Sequence, residues 1–198
     1  MVKLDHQTDE VLVKKYIDGC NAAFDVLLSR YKNRLYNYIT FHLHQHTDMV
    51  DDVFQETFVK AIITLKENRY THQEMFLSWL MRIAHNLIMD YYREEAQLKT
   101  VSNDDEEVDL LNDAELVDTY QELTLINEQT LKDVKRLMNN LPENQREVVF
   151  MRYYQNLSFK EIADITGVSI NTSLGRMRYA LINMRKMAED HDISLEIL

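Results

Sequence analysis

Residues 157–186 read LSFKEIADITGVSINTSLGRMRYALINMRK. Ser158, with Glu161 three positions later, makes the S-x-x-E pattern of a capping box, and Leu157 and Ile162 stand at the staple positions around it. In the turn Thr166-Gly167-Val168, glycine sits where a positive φ is easiest to adopt. Ser169 is an N-cap candidate for a second helix starting at Ile170, with Ile170, Met177 and Leu181 expected to face inward. Asn171, Thr172, Ser173, Gly175, Arg176, Arg178 and Tyr179 then lie away from the buried positions. Leu174 suits either side, packing inward or pressing on a thymine methyl. Two short helices, a glycine turn and a basic second helix describe a helix-turn-helix whose second helix enters the DNA major groove. There an arginine reads guanine bidentately, for about 1–3 kcal/mol of discrimination. Gly175 costs about 1 kcal/mol relative to alanine inside a helix. Close approach to DNA or to a neighbouring backbone would explain it. The alternative is a plain helical hairpin with a solvated cationic face.

The chain of 198 residues carries a net charge of −11, against which a DNA-reading helix looks misplaced. The charge is not evenly spread. Residues 1–30 hold four basic and five acidic side chains, 31–95 seven and nine, 96–127 one and nine, and 128–198 ten of each. The acidity is thus mostly one tract around SNDDEEVDLLNDAELVD, while residues 170–186 hold Arg176, Arg178, Arg185 and Lys186 and no acid. A phosphate feels charge within a Debye length of roughly 10 Å, so the local balance decides. If the 96–127 tract behaves as a coil it spans roughly 30 Å. It is either a solvated spacer or a segment with its own binding role, since Leu110, Leu111, Leu116, Val117 and Leu123 could dock on a partner.

Three glycines and one proline in a chain that is 45% apolar favour helices and an ordinary buried core. The fold class expected is all-α: two small helical domains, residues 1–95 and 128–198, joined by the acidic linker 96–127. Pro142 suits a helix start, and Val148, Val149 and Met151 form one apolar side of the helix that follows. Upstream, Phe24, Leu27, Leu28, Tyr31, Leu35, Tyr38 and Ile39 recur at helical period. In DMVDDVFQETFVKAIITLKE, the residues Val50, Phe54, Phe58, Ala61 and Leu65 share a face, with Asp51, Asp52, Gln55, Glu56 and Lys60 around the rest. FLSWLMRIAHNLIMDYYREE buries Phe76, Trp79, Leu80, Ile83 and Leu87, leaving a stripe of Arg82, Asn86, Asp90 and Arg93 spaced four, four and three. Such a stripe is a solvated face or a binding one.

Residues 51–61, DDVFQETFVKA, resemble the core-binding motif D-D-x-x-Q-E-x-F of the sigma-70 family of bacterial transcription initiation factors. Residues 76–94 resemble that family's promoter-melting segment, W-L-x-x-I-A-x-N-x-x-x-D-x-x-R, and 141–186 its region four. Three motifs in family order, separated only by the linker, resemble the extracytoplasmic-function (ECF) type; NTSLGRMRYAL resembles members from Bacteroidetes-like bacteria. The resemblance implies that Asp51, Asp52, Gln55, Glu56 and Phe58 dock on the clamp helices of the largest subunit of core RNA polymerase. It implies that the loop Asn68–Glu74, with Tyr70, and the stripe Arg82, Asn86, Asp90 and Arg93 meet the −10 promoter element as single strand, where unpaired bases are captured and stacked. The helix from Ile170, through Asn171, Thr172, Ser173, Leu174, Gly175, Arg176, Arg178 and Tyr179, would read the −35 element as duplex. The linker would thread toward the polymerase cleft, and an anti-sigma factor is a partner common in the family. Family recognition helices often carry a basic residue where Leu174 stands and an apolar one at Ser173, which leaves the reading register open by about one residue. Trp79 falls on the apolar face and is read as core rather than as a melting wedge.

His42, His44 and His46 form HLHQH; on a helix, His42 and His46 would share a face as a metal pair, but no cysteine or carboxylate stands beside them at ligand spacing, so no metal is expected. No phosphate loop, nucleophile elbow or H-E-x-x-H occurs, so neither catalysis nor a cofactor is expected. The single cysteine, Cys20, fits a reducing compartment. The N-terminus, MVKLDHQTDE, lacks an apolar signal region and no apolar run is long enough to span a bilayer, so the expected location is the cytoplasm.

Overall fold

The computed structural model describes residues 4–70, 75–100, 128–191 and 193. The described residues form helices and connecting turns in two compact units, the first ending at residue 100 and the second starting at residue 128. No helix among them is long and apolar enough to cross a membrane. The acidic tract at 101–127 lies outside the described residues.

The first unit holds α1 (Asp9–Ile17), α2 (Asn21–His42), α3 (Val50–Lys66) and α4 (Phe76–Thr100). Asp9 and Glu10 in the first turn of α1 and Lys14 and Lys15 in its last complement the helix dipole. Leu12 and Val13 of α1, Leu27, Leu35 and Ile39 of α2, Val50, Ala61 and Leu65 of α3, and Leu80, Ala84 and Ile88 of α4 make the core. Burying a side chain of this size contributes about 1.5–3 kcal/mol. Arg30 on α2 donates to Asp9 Oδ1 at 2.7 Å and to the carbonyls of Asp5 and Gln7 at 2.7 Å each, and the Tyr31 hydroxyl donates to Asp9, pinning the chain's start onto α2. Asn68, at φ 54°, ends α3 in the left-handed region that asparagine tolerates.

The second unit holds α5 (Glu128–Asn139), α6 (Glu143–Val149), α7 (Phe159–Thr166) and α8 (Ile170–Asp190). Pro142 caps α6, which runs on into a π turn over Phe150–Tyr154. Asn156, at φ 51°, then turns the chain, and Arg152 donates to the Leu157 carbonyl at 2.9 Å. Leu137, Leu141, Val148, Val149, Met151, Ile162, Ile165, Met177 and Ala180 are buried. Asn183 of α8 donates to Gln145 Oε1 of α6 at 2.8 Å.

Candidate nucleic-acid interface

The turn between α7 and α8 is built as its sequence dictates. Glu161 N–H donates to Ser158 Oγ at 3.3 Å while Ser158 N–H donates to Glu161 Oε2 at 2.8 Å, a complete capping box. Leu157 and Ile162 are both buried beneath it. Gly167 adopts φ 67°, and the amides of Gly167 and Val168 close on the Ala163 carbonyl. Ser169 Oγ then accepts the Thr172 N–H at 3.0 Å and starts α8. Three local devices thus fix the angle at which α8 leaves α7.

The face α8 presents differs from the sequence expectation at two positions. Ser173 is 1% exposed and Ile170 is 46% exposed, the reverse of the inward and outward sides assigned to them. The inward stripe is Ser173, Met177 and Ala180, spaced four and three, and its small members let α8 lie close to α6 and α7. Ser173 therefore has no access to a groove in this fold. Asn171, Thr172, Leu174, Arg178 and Tyr179 are exposed, and Gly175 and Arg176 are half-buried. Leu174 resolves outward. A Cβ built on Gly175 meets no heavy atom within 4 Å, so crowding by a neighbouring backbone does not account for the glycine.

In the first unit the carboxylate-rich face of α3 is exposed: Asp51, Asp52, Gln55 and Glu56 all reach solvent. Glu56 pairs with Lys60 at 3.1 Å, and the Tyr36 hydroxyl is pushed up by burial and by its hydrogen bond to Asp51. Phe58 does not belong to that face. It is buried, edge-on to Phe24 at 6.2 Å and to Phe54 at 5.1 Å, because it falls three residues before Ala61 and seven before Leu65 on the inward stripe. Val59 and Ile63, at 53% and 46% exposed, stand outside instead, and Tyr36 packs edge-on to Phe54 at 5.5 Å. Counting four and eight residues on from Gln55 would have found both.

Tyr70 is also inside, with its ring 4.6 Å from Trp79 and 6.2 Å from Phe76. Trp79 is buried, in agreement with its reading as core. Residues 71–74 of the expected −10 loop lie outside the described residues. On α4, Asn86, Asp90 and Arg93 are exposed and Arg82 is half-buried, so the stripe exists as spaced. Arg93 donates to Asp90 at 2.8 Å, an exposed i,i+3 pair.

The histidine run does not make the pair that helical spacing suggested. The second helix ends at His42, leaving His44 and His46 beyond its cap. His46 turns to α4, with Nδ1 3.1 Å from the Tyr91 hydroxyl and Nε2 3.6 Å from Glu95. His85 is buried against the Tyr38 hydroxyl at 2.9 Å, and desolvation lowers its pKa to about 4.

Residues 27–97 match the family Sigma-70 region 2, and residues 131–174 match Sigma-70, region 4. The chain is 30% identical over 191 residues to the ECF RNA polymerase sigma-E factor of Haemophilus influenzae, covering 92% of this chain and 94% of that one. It is 29% identical over 179 residues to the RNA polymerase sigma factor YlaC of Bacillus subtilis, covering 86% and 97%. Among solved structures it resembles the sigma factor RpoE of Bartonella quintana, crystallised with the anti-sigma factor NepR, at 22% identity and a TM-score of 0.62 over 84% of this chain and 96% of that one.

Proposed function

The chain belongs to the ECF RNA polymerase sigma factors, which bind core polymerase and direct it to promoters, and from that premise we propose which of its residues carry each contact. The exposed N-terminal half of α8 reads the −35 duplex. Asn171 is suited to adenine, Arg178 to guanine and Leu174 to a thymine methyl. Thr172, Arg176 and Tyr179 flank them toward the phosphates. The observation that carries this assignment is the outward placement of Asn171, Leu174 and Arg178 on a helix whose start is fixed by Ser158, Gly167 and Ser169.

Asp51, Asp52, Gln55 and Glu56 dock on the polymerase clamp, and Val59 and Ile63 extend the same face with apolar area. Asn86, Asp90, Arg93 and Arg82 meet the −10 strand once it is single. Tyr70 supports that site from below through Trp79 rather than stacking on a base. The protein works where its polymerase does, in the cytoplasm, and an anti-sigma factor is its second protein partner. It supplies recognition and melting; the chemistry of RNA synthesis is the core enzyme's.

Arg178→Ala tests the division of labour. It should cut use of a −35-dependent promoter at least tenfold, the equivalent of about 1.4 kcal/mol, and leave co-elution with core polymerase unchanged. Loss of core binding in that variant would overturn the assignment of α8. Asn86→Ala should slow promoter opening while sparing a pre-melted template; equal loss on both would remove Asn86 from the strand-capture role.

A further inference from the structure

Tyr38, Tyr91 and Tyr92, with His42, His46 and His85, carry none of the contacts proposed above, yet they join α2 to α4. The Tyr38 hydroxyl of α2 lies 2.9 Å from His85 Nδ1 of α4, with both side chains buried. Further along, the Tyr92 hydroxyl donates to the His42 carbonyl at 2.5 Å. α2 ends at His42, so this carbonyl is one of those a helix end leaves without an intrahelical partner. Beyond that cap, His46 sets Nδ1 3.1 Å from the Tyr91 hydroxyl and Nε2 3.6 Å from Glu95. The rungs advance in the same direction on both sides, from Tyr38 through His42 to His46 and from His85 through Tyr92 to Glu95. On α4 they span roughly 15 Å of helix.

These rungs interleave along α4 with the stripe assigned to the −10 strand. His85 precedes Asn86, Tyr91 follows Asp90, and Tyr92 precedes Arg93. Successive helical residues point about 100° apart, so one side of α4 is held while the adjoining side reads. The apolar core does not fix that side by itself. Leu80, Ala84 and Ile88 recur every four residues, and apolar attraction has no direction, so a slide or roll of α4 can keep much of its contact. A slip by one residue moves a helix about 1.5 Å and turns it about 100°, whereas a recognition site has to be held within about 0.5 Å. Hydrogen bonds weaken steeply away from linearity, and a buried polar pairing that fits one register alone specifies that register. We propose that Tyr38–His85, His42–Tyr92 and His46–Tyr91 form a polar ladder that sets the roll and register of α4, which makes Tyr38, His85 and Tyr92 positioning residues for strand capture. The holding of α4 stands by itself; its effect on the −10 strand rests on the function proposed above.

The test compares the full chain with a Tyr38→Phe/Tyr92→Phe variant, which loses two hydroxyls and keeps both rings. In a Cys20→Ser background, spin labels on Asn33→Cys of α2 and Glu94→Cys of α4, both exposed, report where α4 lies. The parent should give one narrow distance, and the variant a distribution moved or widened by about 1.5 Å or more, one helical rise. With core polymerase, the variant without labels should open a duplex promoter about tenfold more slowly or worse, while co-elution with core and use of a pre-melted template are unchanged. Adding Asn86→Ala should cost less than the product of the two separate losses, because both act at one site. Tyr91→Phe alone, at the half-buried outer rung, should show the same pattern more weakly. An unchanged narrow distance overturns the proposal. So does slow opening that follows a lowered urea midpoint and multiplies with Asn86→Ala, which would make the ladder a matter of stability only. So does a widened distance with normal opening where Asn86→Ala by itself opens slowly. A widened distance with normal opening in both variants would uphold the holding of α4 and count instead against its stripe as the strand reader.

Discussion

Gly175→Ala separates what α8 needs as a helix from what it needs as a reader. Glycine in a helix interior costs about 0.8–1.0 kcal/mol relative to alanine, and Gly175 lies in the right-handed helical region with no positive φ to protect. A Cβ there has nothing within 4 Å to strike, so no steric penalty offsets the gain. The variant should therefore stabilise the second unit by about 1 kcal/mol, or roughly 4–8 °C in Tm for a unit of this size. Calorimetry on the full chain reads this in the transition of the second unit. If the glycine is kept so that α8 can approach the duplex closely, promoter-directed transcription should fall about tenfold or more while core polymerase still co-elutes. A lowered Tm would refute the reasoning about the helix. A raised Tm with full transcription would refute close approach as the reason for the glycine.

Val59→Ser with Ile63→Ser should weaken association with core polymerase about tenfold or more in a titration, with urea unfolding within about 0.5 kcal/mol of the parent, as for exposed positions generally. Ser158→Ala should destabilise the second unit by about 1 kcal/mol, and adding Glu161→Ala should cost less than the sum of the singles because both belong to one capping box; urea midpoints check both. His85 titrates near pH 4 in the fold and near 6.5 when unfolded, so the unfolded state binds the extra proton between those values. Stability should fall as pH drops through that window, by at most about 3 kcal/mol, and His85→Gln, which cannot titrate, should flatten this limb of a urea-midpoint series.

What the sequence made legible was local. Ser158, Glu161, Gly167 and Ser169 act within one turn of themselves, and each does in the fold what its neighbours in the chain imply. The sides of α2, α3 and α4 were readable because Leu, Ile, Phe and Trp mark them at helical period. Register failed where side-chain chemistry and burial part company. Ser173 is small and polar but faces inward because α8 must lie close to its neighbours, and that displaces Ile170 into solvent. At Phe58 the register did not fail: its period with Ala61 and Leu65 already put it on the apolar face, where it is buried, and only the motif resemblance had carried it into the docking set, while Val59 and Ile63 stand outside. Tyr70 was placed near a base because it sits in a loop; its burial comes from Trp79 and Phe76, reached only through tertiary packing. HLHQH has no glycine or proline to announce that the helix stops at His42, and the contact of His46 with Tyr91 and Glu95 spans 45 residues or more of chain.

The most direct test mixes the purified chain with core RNA polymerase and follows co-elution, then run-off transcription on genomic promoter fragments. The account predicts a stable complex and transcripts that start at discrete promoters and fall at least tenfold with Arg178→Ala. Duplex DNA binding by the chain alone, with no association with core polymerase, would contradict it.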